Sequence, residues 1–171
     1  ADAWAGEWND VCRTHGFLPS AELQQRTLFD QVVKPLAVDA SAPNDVTAYF
    51  VVDALRFEMA QELSEAIGAV PATQKQLRPR LAELPTVTEV GMNVLAPVVE
   101  NGRLNPALID DKIKGFSTGE YRVSTIETRK RAMFDRVGGK GCPWLSLADV
   151  LNRDAVALKK TVEQARLLVV H

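Results

Sequence analysis

Histidine, cysteine and aromatic residues are scarce in this chain. Its 171 residues include two histidines, two cysteines and 6% aromatics. Cys12 and Cys142 admit one disulfide at most, which excludes a disulfide-stapled scaffold, and free thiols in a reducing cytoplasm are the expected state. Cys12 and His15 lie close together, but a structural zinc site takes four ligands and no second pair occurs. Both read as ordinary residues. A charge excess is also lacking: 20 basic against 22 acidic residues leave a net charge of -2, so there is no bulk signature of nucleic-acid binding. No apolar run approaches the length of a membrane span. The opening Ala1-Asp2-Ala3-Trp4 has no basic region followed by an apolar stretch, so no secretory signal is read. It has no initiator methionine either, and a piece cut from a longer cytoplasmic protein is expected.

What is present is an ordinary globular composition, 46% apolar and 25% charged, of a length that suits one domain. The most telling stretch is Val51–Met59. A buried apolar run, Tyr49-Phe50-Val51-Val52, ends in Asp53, and a helical pattern follows with Leu55, Met59, Leu63 and Ile67 spaced by four. This reads as strand then helix, with Gly68 as C-cap and Pro71 as stop. Asp53 then stands where the strand ends, and open α/β sheets bind ligands outside the carboxyl ends of their strands. The competing reading is structural, since Asp is a preferred helix N-cap.

Residues 1–40 read as helical, with Trp4 and Trp8 on one face and Leu28, Val32 and Leu36 in line. The segment is polar enough to be a packing appendage and not a core. Asp39–Asp45 reads as a linker, and Leu81–Leu84 as a short strand. From Leu84 to Pro97 a turn enters a short helix, which puts Thr86 and Thr88 near a helix N-terminus, where free N–H groups attract anions and a hydroxyl can act as nucleophile. Thr86-x-x-Glu89 also fits a capping box, which would explain Thr86 without chemistry but not Thr88. Residues 98–119 read as a long excursion, Tyr121–Ile126 as β, and Glu127–Val137 as a helix carrying Arg129, Lys130, Arg131 and Arg136. That basic face is either solvated, the preferred reading, or a polyanion contact. Gly138-Gly139-Lys140-Gly141 looks like a phosphate loop but lacks the first Gly at the right distance and a following Ser or Thr. Asp154 caps a last helix bearing Ala155, Leu158, Val162 and Ala165. Leu167–Val170 reads as a strand apolar on both faces, with His171 at its carboxyl end, taken as an ordinary residue.

Val51-Val52-Asp53-Ala54-Leu55-Arg56-Phe57-Glu58-Met59-Ala60 and Leu84-Pro85-Thr86-Val87-Thr88-Glu89-Val90-Gly91-Met92, in this order, resemble the PglZ domain. Thr128-Arg129 and the closing Leu168-Val169-Val170-His171 strengthen the likeness. That family belongs to the alkaline phosphatase superfamily and occurs in bacteriophage-exclusion (BREX) defence systems. The resemblance runs from about residue 46 to the end, so 1–42 is expected to be a helical extension and 43–171 a partial domain. It implies a truncated three-layer α/β/α alkaline-phosphatase-like fold. It implies a metal-dependent phosphoesterase, phosphodiesterase or nuclease of antiviral defence that acts on a phosphate ester or nucleic acid. Other defence-system proteins would be its partners. Asp53 matches a metal-ligand Asp, and Thr88 the hydroxyl nucleophile that also touches the metal, zinc or manganese. The family's remaining Asp and His ligands lie downstream of His171, so this piece alone is expected to be inactive. Two alternatives are a non-catalytic scaffold with a vestigial site and a phosphomutase-like enzyme of the same superfamily.

Overall fold

The computed structural model describes residues 2–38, 45–71 and 74–171. Most of the linker read at 39–45 therefore lies outside the described residues. The chain opens with α1 (Asp2–His15), on which Trp4 and Trp8 stack with ring centroids 6.1 Å apart, as their spacing of four implies. No described residue of α1 is buried. Short 3-10 turns then lead to a π-helical turn, Phe29–Val33, continued by α2 (Lys34–Ala37).

This second stretch corrects the reading of residues 1–40 as an appendage. Phe29, Val33 and Ala37 enter the main core, Phe29 at 1% exposure. The expected stripe of Leu28, Val32 and Leu36 is one residue out of phase: Leu28 only flanks the core, and Val32 and Leu36 face outward. Each member of that stripe has a buried neighbour one place on, at the same spacing of four. Spacing alone cannot choose between two adjacent apolar stripes of equal period; the larger Phe29 side chain supplies the anchor.

β1 (Thr47–Phe50) pairs in parallel with β6 (Leu167–Val170), which pairs in parallel with β5 (Trp144–Leu145). Side chains alternate across this sheet. Tyr49, Val51, Leu167 and Val169 join the main core on one face, while Leu145, Leu168 and Val170 join a second cluster on the other. The main core is closed by α5 (Ile126–Arg136), which contributes Ala132 and Met133. The second cluster is closed by α6 (Leu147–Asn152) and α7 (Ala155–Glu163). Helices thus cover both faces, and β6, central and buried on both sides, carries apolar residues throughout. These are the three layers expected of the chain.

Caps fall where short polar side chains precede apolar runs. Thr125 and Ser146 each form a capping box with Thr128 and Asp149, and Asp154 accepts from Val156 and Ala157. α3 (Phe57–Ile67) and α4 (Thr88–Gly91) have no such side-chain cap. The stripe of α3 is present, but Met59, Leu63 and Ile67, with Leu55 ahead of them, are each 40–51% exposed. The strand read at Leu81–Leu84 reduces to one isolated bridge, Leu81 with Gln24.

Residues 98–119, read as an excursion, instead hold most of a second sheet. β2 (Pro106–Ile109), β3 (Lys112–Ser117) and β4 (Arg122–Val123) pair antiparallel in that order. Asp110 and Asp111 join β2 to β3 with φ of 49° and 56°. A two-residue turn with positive φ at both positions matches the twist of a hairpin, and Asp tolerates it. Both cysteines are free thiols, and among the described residues no helix is long and apolar enough to cross a membrane.

The phase of the amino-terminal stripe is directly testable. Phe29→Ala should destabilise the fold by about 3–5 kcal/mol, as expected for a truncated buried Phe. Leu36→Ala, on the outward face, should stay within about 0.5 kcal/mol. Denaturant titration of the two variants decides between the stripes.

Candidate functional site

β1 ends at Phe50, although the Val51 N–H still donates to the Val170 carbonyl at 2.8 Å. The chain then turns at Asp53-Ala54, and α3 begins only at Phe57 with Arg56 at its N-cap position. Asp53 is therefore not a helix cap, and the structural explanation of this carboxylate falls away. Its Oδ1 accepts the Ala54 N–H at 3.0 Å, and its Oδ2 accepts the Thr88 hydroxyl at 3.1 Å. Ala54 is held at φ 55°, a left-handed conformation that costs a residue with a Cβ about 1–2 kcal/mol. The strain lies beside the carboxylate, at the carboxyl end of a strand.

Thr88 is the first residue of α4, where the sequence puts a hydroxyl at a helix start. The capping box read at Thr86 and Glu89 is absent. Val87 occupies the N-cap position, and Glu89 instead pairs with Lys114 of β3 at 3.1 Å. Its own backbone N–H and Lys114 hold the Glu89 carboxyl below the usual range. α4 is a single turn, so the anion-attracting dipole expected at its start is small. Asp53, Thr86 and Thr88 share an open cleft of about 220 Å³ with Gln25, Glu83 and Leu95.

Two further side chains tie this region to α5. Asn93 is fully buried; its Nδ2 donates to the Glu89 carbonyl at 2.6 Å, and its Oδ1 accepts from Arg129 at 2.8 Å. Burial pulls the Arg129 guanidinium below its ordinary pKa, against the raising effect of the Glu127 and Asp53 carboxylates. The basic face read on this helix therefore divides. Arg131 is exposed, Arg129 turns inward, and Lys130 lies 5.7 Å from the centre of the Trp144 ring. His171 packs on the same Trp144 ring at 5.5 Å between centroids, with its pKa lowered by burial and by Lys130 and Arg129.

The amino-terminal segment reaches the cleft too. Gln25 Oε1 accepts the Glu83 N–H at 2.9 Å, and Gln25 Nε2 donates to the Gly91 carbonyl at 3.2 Å. Arg26 forms a two-pronged ion pair with Glu83, its Nε donating at 2.7 Å. Gln25, Arg26 and Glu83 carry no local signal in the sequence. Asn93 does carry one, as a polar residue inside the apolar run from Val90 to Val98.

Asp53 and Thr88 offer two hard oxygen donors. A catalytic zinc site takes about three protein ligands, and among the described residues no group of three or more His, Cys, Asp or Glu gathers to hold a metal. Asp53 and Thr88 are thus two donors of a metal centre that the described residues do not complete.

A family model described as the BREX system PglZ alkaline phosphatase-like domain matches residues 28–171. The match starts well before the expected residue 46 and takes in the core helix at Phe29–Ala37. Among curated proteins, the alkaline phosphatase-like protein BrxZ of Escherichia coli O9:H4 (strain HS) is 30% identical over 95 residues. Those residues cover 53% of this chain and 11% of that protein, so the chain spans about a tenth of that relative's length. No solved structure matches.

The absent capping box sets a stability prediction. Thr86→Ala should leave stability within about 0.5 kcal/mol. Thr125→Ala, which removes a cap that is present, should cost about 1 kcal/mol. Thermal unfolding of both variants side by side measures the contrast.

Proposed function

The chain belongs to the PglZ family of BREX alkaline phosphatase-like domains, and on that premise we propose that it supplies the nucleophile half of a phosphoester-cleaving site. Thr88 is the nucleophile and Asp53 its activating partner. The observation that carries this reading is the 3.1 Å hydrogen bond from the Thr88 hydroxyl to Asp53 at the carboxyl end of β1.

The chemistry follows from that pair. A threonine hydroxyl is a weak nucleophile until an adjacent base takes its proton. Asp53 accepts the hydrogen bond, and in this reading it receives that proton as Thr88 Oγ1 attacks phosphorus. The bond from phosphorus to the leaving oxygen breaks, and the leaving group departs as its alcohol with the proton held by Asp53. The phosphothreonine so formed is hydrolysed by water, which releases phosphate or a phosphomonoester and restores the Thr88 hydroxyl. The second hydrogen bond, from Ala54 N–H to Oδ1, fixes the carboxylate so that Oδ2 keeps facing the hydroxyl.

A divalent cation, zinc or manganese, enters the proposal only for the parent protein. Asp53 and Thr88 would be this chain's share of its ligands. A phosphodiester or nucleic-acid substrate, defence-system partners and a cytoplasmic setting are part of the same reading. The chain by itself is expected to be inert.

The test is turnover of a nitrophenyl phosphodiester by the full-length protein, with and without added zinc or manganese. Thr88→Ala and Asp53→Ala should each lower kcat by roughly 100-fold or more, the scale of lost base activation, while Thr86→Ala keeps most activity. Thr88→Ser should retain part of the rate. An inactive Thr86→Ala beside an active Thr88→Ala would move the nucleophile by two positions. If Asp53→Ala, Thr86→Ala and Thr88→Ala all kept wild-type rates and phage defence, the non-catalytic scaffold would replace the enzyme.

A further inference from the structure

The segment that brackets the Thr88 loop lies ahead of the family match. Residues 83–91 run along the surface through Thr86 and Thr88 and enter the core at Val90. Gln25 holds both ends of this passage with one side chain: its carbonyl oxygen accepts the Glu83 N–H at 2.9 Å, and its amide donates to the Gly91 carbonyl at 3.2 Å. Arg26 fastens the same starting point through its ion pair with Glu83, and both side chains are largely buried, at 11% and 16% exposure. The backbone reinforces the attachment. Leu81 N–H donates to the Leu23 carbonyl at 2.7 Å, and Gln25 N–H donates to the Leu81 carbonyl at 3.3 Å.

The short helix α4 cannot supply this anchoring alone. It is one turn long, its N-cap position carries Val87, and no side chain caps it. A hydroxyl on such an element keeps its place only if the flanking chain is pinned. Gln25 is suited to the task because an amide is both donor and acceptor, and its length lets it span the loop ends. Gln25 also lines the cleft that holds Asp53 and Thr88.

We infer that Gln25, supported by Arg26 and Glu83, is a positioning residue that clamps the Thr88 loop against Asp53, so that residues 23–27 form part of the functional unit although the family match begins at 28. This rests on Thr88 being the reacting hydroxyl. Small displacements of a reacting group are costly, and about 1 Å can cost roughly 100-fold in rate.

The decisive variant is Gln25→Met in the full-length protein. It keeps the length and packing of the side chain and removes both hydrogen bonds. Gln25→Ala serves as the larger perturbation, and the melting temperature of each variant reports whether the fold is kept. The first readout is amide hydrogen exchange. Peptides covering residues 84–92 should exchange about tenfold faster in Gln25→Met, as local opening becomes easier, while peptides covering β6 stay at the wild-type rate. The second is steady-state turnover: kcat should fall with KM nearly unchanged. Wild-type exchange across 84–92 in Gln25→Met overturns the clamp. Faster exchange with an undiminished kcat, in a protein that Thr88→Ala inactivates, overturns the positioning role. Faster exchange in a protein in which Thr88→Ala stays active supports the clamp as a holder of the loop and removes the catalytic reading of Thr88 instead.

Discussion

The parallel pairing of β1 with β6 is the constraint on which the rest depends. The two strands come from distant parts of the chain, and their register, Thr47 with Leu167 through Phe50 with Val170, decides which side chains face which core. A shift of one residue would turn Tyr49 and Val51 out of the main core and Phe50 into it. The same register puts the carboxyl ends of both strands on one edge. Asp53 projects beyond β1 on that edge, and His171 follows β6 there. Asp53 and His171 share this edge because the two strands run the same way.

From that edge the site is built by tying loops, not by extending regular elements. The turn at Asp53-Ala54 accepts a left-handed residue so that the carboxylate bonds its own backbone and Thr88 at once. The loop carrying Thr88 is held on one side by Gln25 and Arg26, and on the other by Asn93, which links the Glu89 carbonyl to Arg129 of α5. Asn93 is the one polar residue wholly buried among the described residues. A buried amide without partners is costly, so its two bonds are a condition of that packing. The tie brings a guanidinium near enough to the Asp53 carboxylate for that charge to favour the charged form of Arg129.

The contrast between α3 and α5 shows how far periodicity carries. Both are eleven-residue helices. α3 has the cleaner apolar stripe, yet that stripe is exposed, whereas α5 buries only Ala132 and Met133 and still closes the main core. A stripe states that a helix has an apolar side; it does not state against what that side packs.

Near-neighbour physics accounts for what the sequence by itself determined. The strand-to-helix order around Asp53, the buried strand at Leu167–Val170, the helix at Ile126–Arg136, the cap at Asp154 and the ordered motifs that mark the PglZ family are all carried within a few residues of chain. Asp53 and Thr88 could be singled out for the same reason, as polar groups at the ends of recognisable elements. The tertiary structure alone decided that Thr86 caps nothing, that Phe29 and not Leu28 anchors the core, and that Asp110-Asp111 turns a hairpin. It alone joined Gln25 to Glu83 and Gly91, and it gave the direct hydrogen bond between Asp53 and Thr88, which the family resemblance implied only as neighbours on one metal. The Asp53–Thr88 and Gln25 contacts and the choice of Phe29 depend on partners dozens of residues away, whose positions follow from strand register and core packing, and neither leaves a mark on the local pattern of residues.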